Sequence, residues 1–191
     1  MRIGFSGAPG SGKTSTARLL SARLRQQHKN LELVNEYARR YISKYGKIES
    51  ISEQFRIYKK QLDLEDSVNN AEIIITDCPV FIGFFYSLEL RDLNSQKDIL
   101  WMNDLFKEMT KINIPQRYDI IFHVPPKIKP VKDGIRAEHQ FEDEWRDKAD
   151  QKIKFIFELF PPKKFYQIEE TNIDKRVEFC IEKISEYVKM E

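Results

Sequence analysis

Six residues into the chain, Gly7-Ala-Pro-Gly-Ser-Gly-Lys13-Thr14 matches the spacing G-x-x-x-x-G-K-[ST], directly behind the short apolar run Arg2-Ile-Gly-Phe-Ser6. This segment constrains the fold more than any other. Its glycines allow backbone conformations closed to other residues, so successive N–H groups can turn inward, and the loop must leave a strand and enter a helix to do so. The helix is expected from Gly12 to about Gln27, with Ala17, Leu19, Leu20, Ala22 and Leu24 as its apolar positions. Four of the seven glycines fall in the first twelve residues, so glycine is concentrated where this loop needs it.

The rest of the chain alternates in the same way. Strands are expected at Leu31–Val34, Glu72–Thr76, Tyr118–Val124 and Lys164–Ile168, and the apolar centre of the third suits a parallel strand covered on both faces. Helices are expected at Glu36–Tyr45, from a Ser50-x-x-Glu53 capping box to Val68, and at Val80–Leu90, Lys97–Lys111, Phe141–Phe160 and Thr171–Met190. Pro125-Pro126 ends the fourth strand. The order implies an α/β domain with a parallel sheet flanked by helices and right-handed crossovers. Ligands of such sheets bind beyond the carboxyl ends of the strands, which puts Gly7–Thr14, Asn35–Glu36, Asp77 and the 125–139 loop on one rim.

At 191 residues the chain fits one domain, 1–191, with a helical substrate segment over about 36–70 and a lid over about 125–140. Two cysteines, Cys78 and Cys180, and no zinc-like ligand spacing argue against structural zinc. No charged-then-apolar leader and no membrane-length apolar run are read, so a reduced cytoplasmic location and no membrane partner are expected. The net charge of +2 is uneven: residues 1–60 hold thirteen Lys/Arg against four Glu and no Asp, leaving −7 for the remainder. Such a split suits an anionic ligand on the N-terminal half, or simply a solvated helix surface.

The glycine loop is the chemistry-bearing motif. Gly7, Ala8, Pro9, Gly10, Ser11, Gly12, Lys13, Thr14 and Ser15 are the expected nucleotide-binding set, with backbone N–H groups and the helix N-terminus facing the phosphates of ATP. Lys13 would bridge the β- and γ-phosphates and the Thr14 hydroxyl would ligate Mg²⁺. Asp77, closing the apolar strand Glu72-Ile-Ile-Ile-Thr, is the expected second metal-site residue. Glu36, Arg39 and Arg40 are expected to project together from one helix, as base and substrate-binding groups, although a surface ion pair would look the same. Arg136, in the basic loop Lys127–Arg136, is the lid arginine, with Arg146 on the next helix a second candidate. The acidic run Glu142-Asp-Glu144 reads as a solvated helix start, and the Tyr and Phe around 36–58 and 81–86 as core or as a base-stacking platform. His28, His123 and His139 show no pairing with a serine or Cys78 that would argue nucleophilic catalysis.

Taken in order, Gly7–Thr14, Glu36-Tyr-Ala-Arg39-Arg40-Tyr41, Asp77 and Asp133-Gly-Ile-Arg136 resemble P-loop kinases like the ribosylnicotinamide kinase domain of bacterial NAD-metabolism regulators, a group with phage relatives. The resemblance spans nearly the whole chain. It implies a P-loop NTPase fold with a five-stranded parallel sheet of the nucleoside- and nucleotide-kinase type, an ATP donor of the γ-phosphoryl group, and a hydroxyl or phosphate on a nucleoside- or nucleotide-type acceptor, in the host cytoplasm if phage-encoded. Phage relatives include kinases acting on hydroxymethylated pyrimidines in DNA, so a DNA acceptor held by Arg39, Arg40, Arg56 and Lys59–Lys60 is a second expectation. A nucleotide-dependent switch or ATPase without an acceptor is the third. Either Glu36 or Asp77 could take the acceptor's proton.

Overall fold

A computed structural model describes residues 1–191 apart from 28, 29, 93, 132, 133, 135, 136 and 191. Strands β1 (Arg2–Ser6), β2 (Leu31–Val34), β3 (Ile73–Thr76), β4 (Ile120–His123) and β5 (Lys164–Gln167) form one sheet in the order β2-β3-β1-β4-β5. Every neighbouring pair is parallel, in registers such as Gly4 opposite Thr76 and Ser6 opposite His123. The helices are α1 (Lys13–Leu24), α2 (Tyr37–Tyr45), α3 (Ile51–Asp66), α4 (Ile82–Leu90), α5 (Gln96–Ile112), the single turn α6 (Ile114–Arg117), α7 (Asp143–Leu159) and α8 (Ile173–Met190).

Strand alternation sorts the core into two layers. Ile3 and Phe5 of β1 and Ile120 and Phe122 of β4 point to one face, where Ala17 and Leu20 of α1 and Val177, Cys180 and Ile184 of α8 cover them. Ile121 points to the other, against Tyr58, Phe81, Phe85, Leu105 and Ile153 from the segments around α3, α4, α5 and α7. These side chains are nearly all removed from water, at ~25 cal/mol per Å² of apolar surface, and that burial rather than helix propensity holds the three layers together.

Several boundaries shift, each for a visible reason. The capping box at α3 forms as expected: Ser50 Oγ accepts from Glu53 N–H at 3.3 Å and Glu53 Oε2 accepts from Ser50 N–H at 3.2 Å. Val80, expected to open α4, belongs instead to a turn in which Ile82 and Gly83 N–H donate to the carbonyls of Pro79 and Val80. Phe141, expected inside α7, closes a 3-10 turn over Glu138–Phe141, and α7 starts at Asp143. Tyr118 is not in β4: its hydroxyl donates to the buried Glu65 at 2.8 Å and accepts from Val80 N–H at 3.0 Å. That bond fixes the turn that follows Asp77.

Candidate active site

The loop Gly7–Gly12 leaves β1 and enters α1 with Gly7, Gly10 and Gly12 at φ 137°, 69° and 95°. Gly7 could not carry a side chain, since a Cβ there would lie 2.1 Å from the Val124 carbonyl oxygen. Lys13 is buried at the head of α1, and its Nζ donates to Ala8 O at 3.2 Å, so the ammonium already lies across the loop. Ser11 is fully buried and its hydroxyl has no partner. Ser15 is exposed one position beyond Thr14.

Asp77 stands at the end of β3, 3% exposed, with its N–H bonded to Val34 O at 3.0 Å. Burial pushes its carboxyl up, and the Glu36 carboxylate pushes the same way; the Lys13 ammonium, a hydrogen bond from Thr14 and the Arg39 guanidinium oppose them. Those influences show that the loop, the N-terminus of α2 and the end of β3 converge on one point. Asp77 Oδ1 has no hydrogen-bond partner, and neither does Thr76 Oγ1. A buried carboxylate oxygen without a partner, beside a threonine hydroxyl and a lysine, fits a hard divalent cation and its phosphate ligands.

Glu36 is the N-cap of α2 rather than its first helical residue, at φ −60° and ψ 116°. This holds its carboxylate at the sheet rim, 3.7 Å from Arg39 Nε and 15% exposed. Arg40, expected beside them, is exposed on α2. Arg136 lies outside the described residues, as do Asp133 and His28.

Glu36 also borders two cavities. The larger, about 390 Å³, is lined among others by Ile42, Gln54, Tyr86, Glu89, His139 and Trp145. The smaller, about 20 Å³, continues beneath Glu36 to Tyr58, Gln61 and Cys78. Gln54, Tyr58 and Gln61 are i, i+4 and i+7 on α3 and all buried, yet Gln54 Oε1, the Tyr58 hydroxyl and Gln61 Nε2 lack partners. Gln61 Oε1 meanwhile accepts from Tyr37 N–H at 2.8 Å and so fastens the start of α2. The Tyr and Phe of this region divide: Phe81 and Phe85 are core, whereas Tyr86 lines the cavity.

Two arginines hold the glycine loop from outside. Arg146 of α7, 1% exposed, donates from Nε to Pro9 O at 3.2 Å and from a terminal nitrogen to Ile128 O at 2.8 Å, with Asp143 at 3.1 Å. Arg176 of α8, 2% exposed, donates to Ser11 O at 2.9 Å and Glu170 O at 2.6 Å. The sequence reading placed Arg146 on the right helix as a lid candidate, but missed Arg176. A signal existed: a cation in the first turn of a helix opposes the macrodipole and calls for another explanation.

His123 pairs with a serine in a place the sequence did not suggest, though not as a nucleophile: Ser6 Oγ and His123 Nδ1 are 3.0 Å apart, and His123 Nε2 and Asp150 Oδ1 2.8 Å. Ser6 and His123 have no exposed surface, so no substrate reaches this Ser-His-Asp chain. It ties the strand that feeds the glycine loop to α7. Among the described residues no group of three or more His, Cys, Asp or Glu gathers as a metal site, and no helix is long and apolar enough to cross a membrane.

The profile of the AAA domain family matches residues 2–176. Among solved structures, deoxyadenosine kinase from M. mycoides with products dCMP and a flexible dCDP bound is similar at TM-score 0.62 and 17% identity, over 97% of this chain and 100% of that one. NadR in complex with NR is similar at TM-score 0.77 and 20% identity over 97% of this chain, which spans 51% of the NadR chain. Thymidylate kinase from Ehrlichia chaffeensis gives 0.63 and 19% over 96% and 98%. No curated protein matches in sequence. With the glycine loop, the parallel sheet order and a profile match across nine-tenths of its length, the chain belongs to the AAA domain family and has the P-loop fold of nucleoside and nucleotide kinases.

Proposed function

We propose that this protein is a kinase that moves the γ-phosphoryl group of ATP to a hydroxyl of a nucleoside bound in the 390 Å³ cavity. The observation that carries the reading is that Lys13, Thr14 and Glu36 all act on the buried Asp77, while Glu36 also lines that cavity. Donor machinery and acceptor pocket share one carboxylate at their boundary.

In this reading the loop N–H groups and Lys13 bind the β- and γ-phosphates. Thr14 and Asp77 hold Mg²⁺, which supplies charge neutralisation at the phosphates. Glu36 is the base, because Asp77 is committed to Thr14 while Glu36 faces the acceptor cavity. The acceptor hydroxyl passes its proton to the Glu36 carboxylate as its oxygen bonds to Pγ, the Pγ–O bond to the leaving oxygen breaks, and that electron pair stays on ADP. Arg39, 3.7 Å from Glu36, orients this carboxylate and offers its charge to the transferring group.

The pocket favours a nucleoside over a monophosphate. Among the described residues its charged lining is Glu36 and Glu89 against Lys47, which together give a second phosphate little to bind. Gln54 and Tyr86 suit a neutral base: an amide for its polar edge, a ring for its face. The DNA reading loses support at three of its five basic residues, since Arg39 pairs with Glu36, Lys59 with Glu108 and Lys60 with Asp63.

Transfer of label from γ-labelled ATP to a panel tests this: nicotinamide riboside, deoxynucleosides, their monophosphates, and duplex DNA with and without hydroxymethylated bases. Label on a nucleoside is the expected result. Label on monophosphates alone would overturn the pocket argument, label on modified DNA alone would replace the acceptor, and label released only as phosphate would make the protein an ATPase.

A further inference from the structure

Arg176 is a buried cation with no carboxylate bonded to it among the described residues. Arginine does not shed its proton in proteins, so the charge persists, and the N-terminal turn of α8 adds positive potential around it. A buried guanidinium held only by carbonyl oxygens is unfavourable unless an anion comes near. Its two bonds go to Ser11 O, inside the glycine loop, and to Glu170 O, in the turn before α8. Gly12 is packed against the same group, since a Cβ on it would lie 2.6 Å from the Arg176 nitrogen.

The peptide unit is planar, and every peptide bond described here is trans. Drawing the Ser11 carbonyl outward therefore turns the N–H of the same unit, that of Gly12, inward to the phosphate side. Arg146 does the same two units earlier: its bond to Pro9 O turns the Gly10 N–H inward. The two guanidiniums come from different helices, α7 and α8, and grip alternate peptides of the loop.

We propose that Arg146 and Arg176 are positioning residues that set the orientation of the Pro9–Gly10 and Ser11–Gly12 peptides for a bound polyphosphate, whose charge in turn compensates Arg176. The inference rests on the reading of Gly7–Thr14 as a polyphosphate cradle. It gives Arg146 a task at the back of the cradle instead of over the transferring phosphoryl group. It also makes occupancy of the cradle stabilise the packing of α8.

The test measures binding of Mg-ATP and of inorganic tripolyphosphate to the whole protein by calorimetry, with KM for each substrate alongside. Arg176→Gln keeps a donor but removes the charge and the fork, and both ligands are expected to bind at least tenfold more weakly. Arg176→Lys keeps the charge and loses the fork, and is expected to lose at least fivefold. KM for the acceptor should stay within twofold in both, a split that general loosening of the fold would not give. Wild-type affinity in Arg176→Lys would overturn the orienting role, and wild-type affinity in Arg176→Gln the whole proposal. Should Arg176→Gln fail to fold, the Lys variant and Arg146→Lys, also expected to lose at least fivefold, decide the matter. A wild-type protein that binds neither ligand would instead refute the cradle on which the inference stands.

Discussion

The proposed donor and acceptor sides of the site are built differently. On the donor side the glycine loop is held by Arg146 and Arg176 behind and by Lys13 across it, and Val124 O approaches too closely for any residue but glycine at position 7. On the acceptor side, Gln54, Tyr58 and Gln61 are buried with polar atoms unpaired around two cavities. The donor side has open groups too, Ser11 Oγ, Thr76 Oγ1 and Asp77 Oδ1, but a phosphate is the same in every substrate, so the backbone around them can be finished in advance. An acceptor must be selected, and polar groups left open are what a correct ligand satisfies and a wrong one leaves unpaired.

Mutations should separate the two sides, and the largest effects belong to the donor side and its boundary. Lys13→Ala is expected to lower turnover by more than ~100-fold with the fold intact, which circular dichroism and steady-state kinetics would check. Glu36→Gln should lower kcat by about 100-fold while leaving Mg-ATP binding near wild type, because it removes the base and not the cradle. If the Gln variant lost ATP affinity instead, the boundary between the sides would be misplaced.

Asp77 links function to stability. Its carboxyl titrates above the usual range because it is buried near Glu36. A carboxyl raised in the folded state adds nothing below its unfolded value, and from there up through the folded value the charge weighs increasingly against the fold. Asp77→Asn should therefore abolish most Mg²⁺-dependent turnover yet raise the melting temperature of the free protein at neutral pH, with the gain vanishing toward acid pH. Thermal melts across pH 4 to 8 would show a widening gap as pH rises. A gap that narrows would contradict the burial argument.

The smaller effects lie on the acceptor side. Gln54→Leu should raise KM for the acceptor about tenfold and blur selection between bases, with KM for ATP unchanged. Ser50→Ala, which removes the α3 cap, should cost about 1 kcal/mol in denaturant melts with little change in either KM.

Much of the architecture was legible in the residues. The five strands show as short apolar runs, and the Ser50/Glu53 box marks α3 because capping is a local matter of spacing. Local reading failed where distant partners decide. Tyr118 reads as strand but turns to Glu65, 53 residues away in sequence, and Ser6 finds His123 and Asp150 only once β1, β4 and α7 are assembled. In the candidate site, the positions of the loop, Glu36 and Asp77 at the sheet rim follow from motif and order. Behind the loop, Arg146 shows only as a lid candidate, and Arg176 only as a cation misplaced against the helix dipole, since it meets Ser11 across 165 residues.

The central claim is that donor and acceptor meet at Glu36, and the most direct measurement is the fate of the γ-phosphate of ATP with and without a nucleoside acceptor. The account predicts slow release of phosphate alone, and, once a nucleoside is added, label appearing on it mole for mole with ADP. Phosphate release that is fast and indifferent to every acceptor would contradict it.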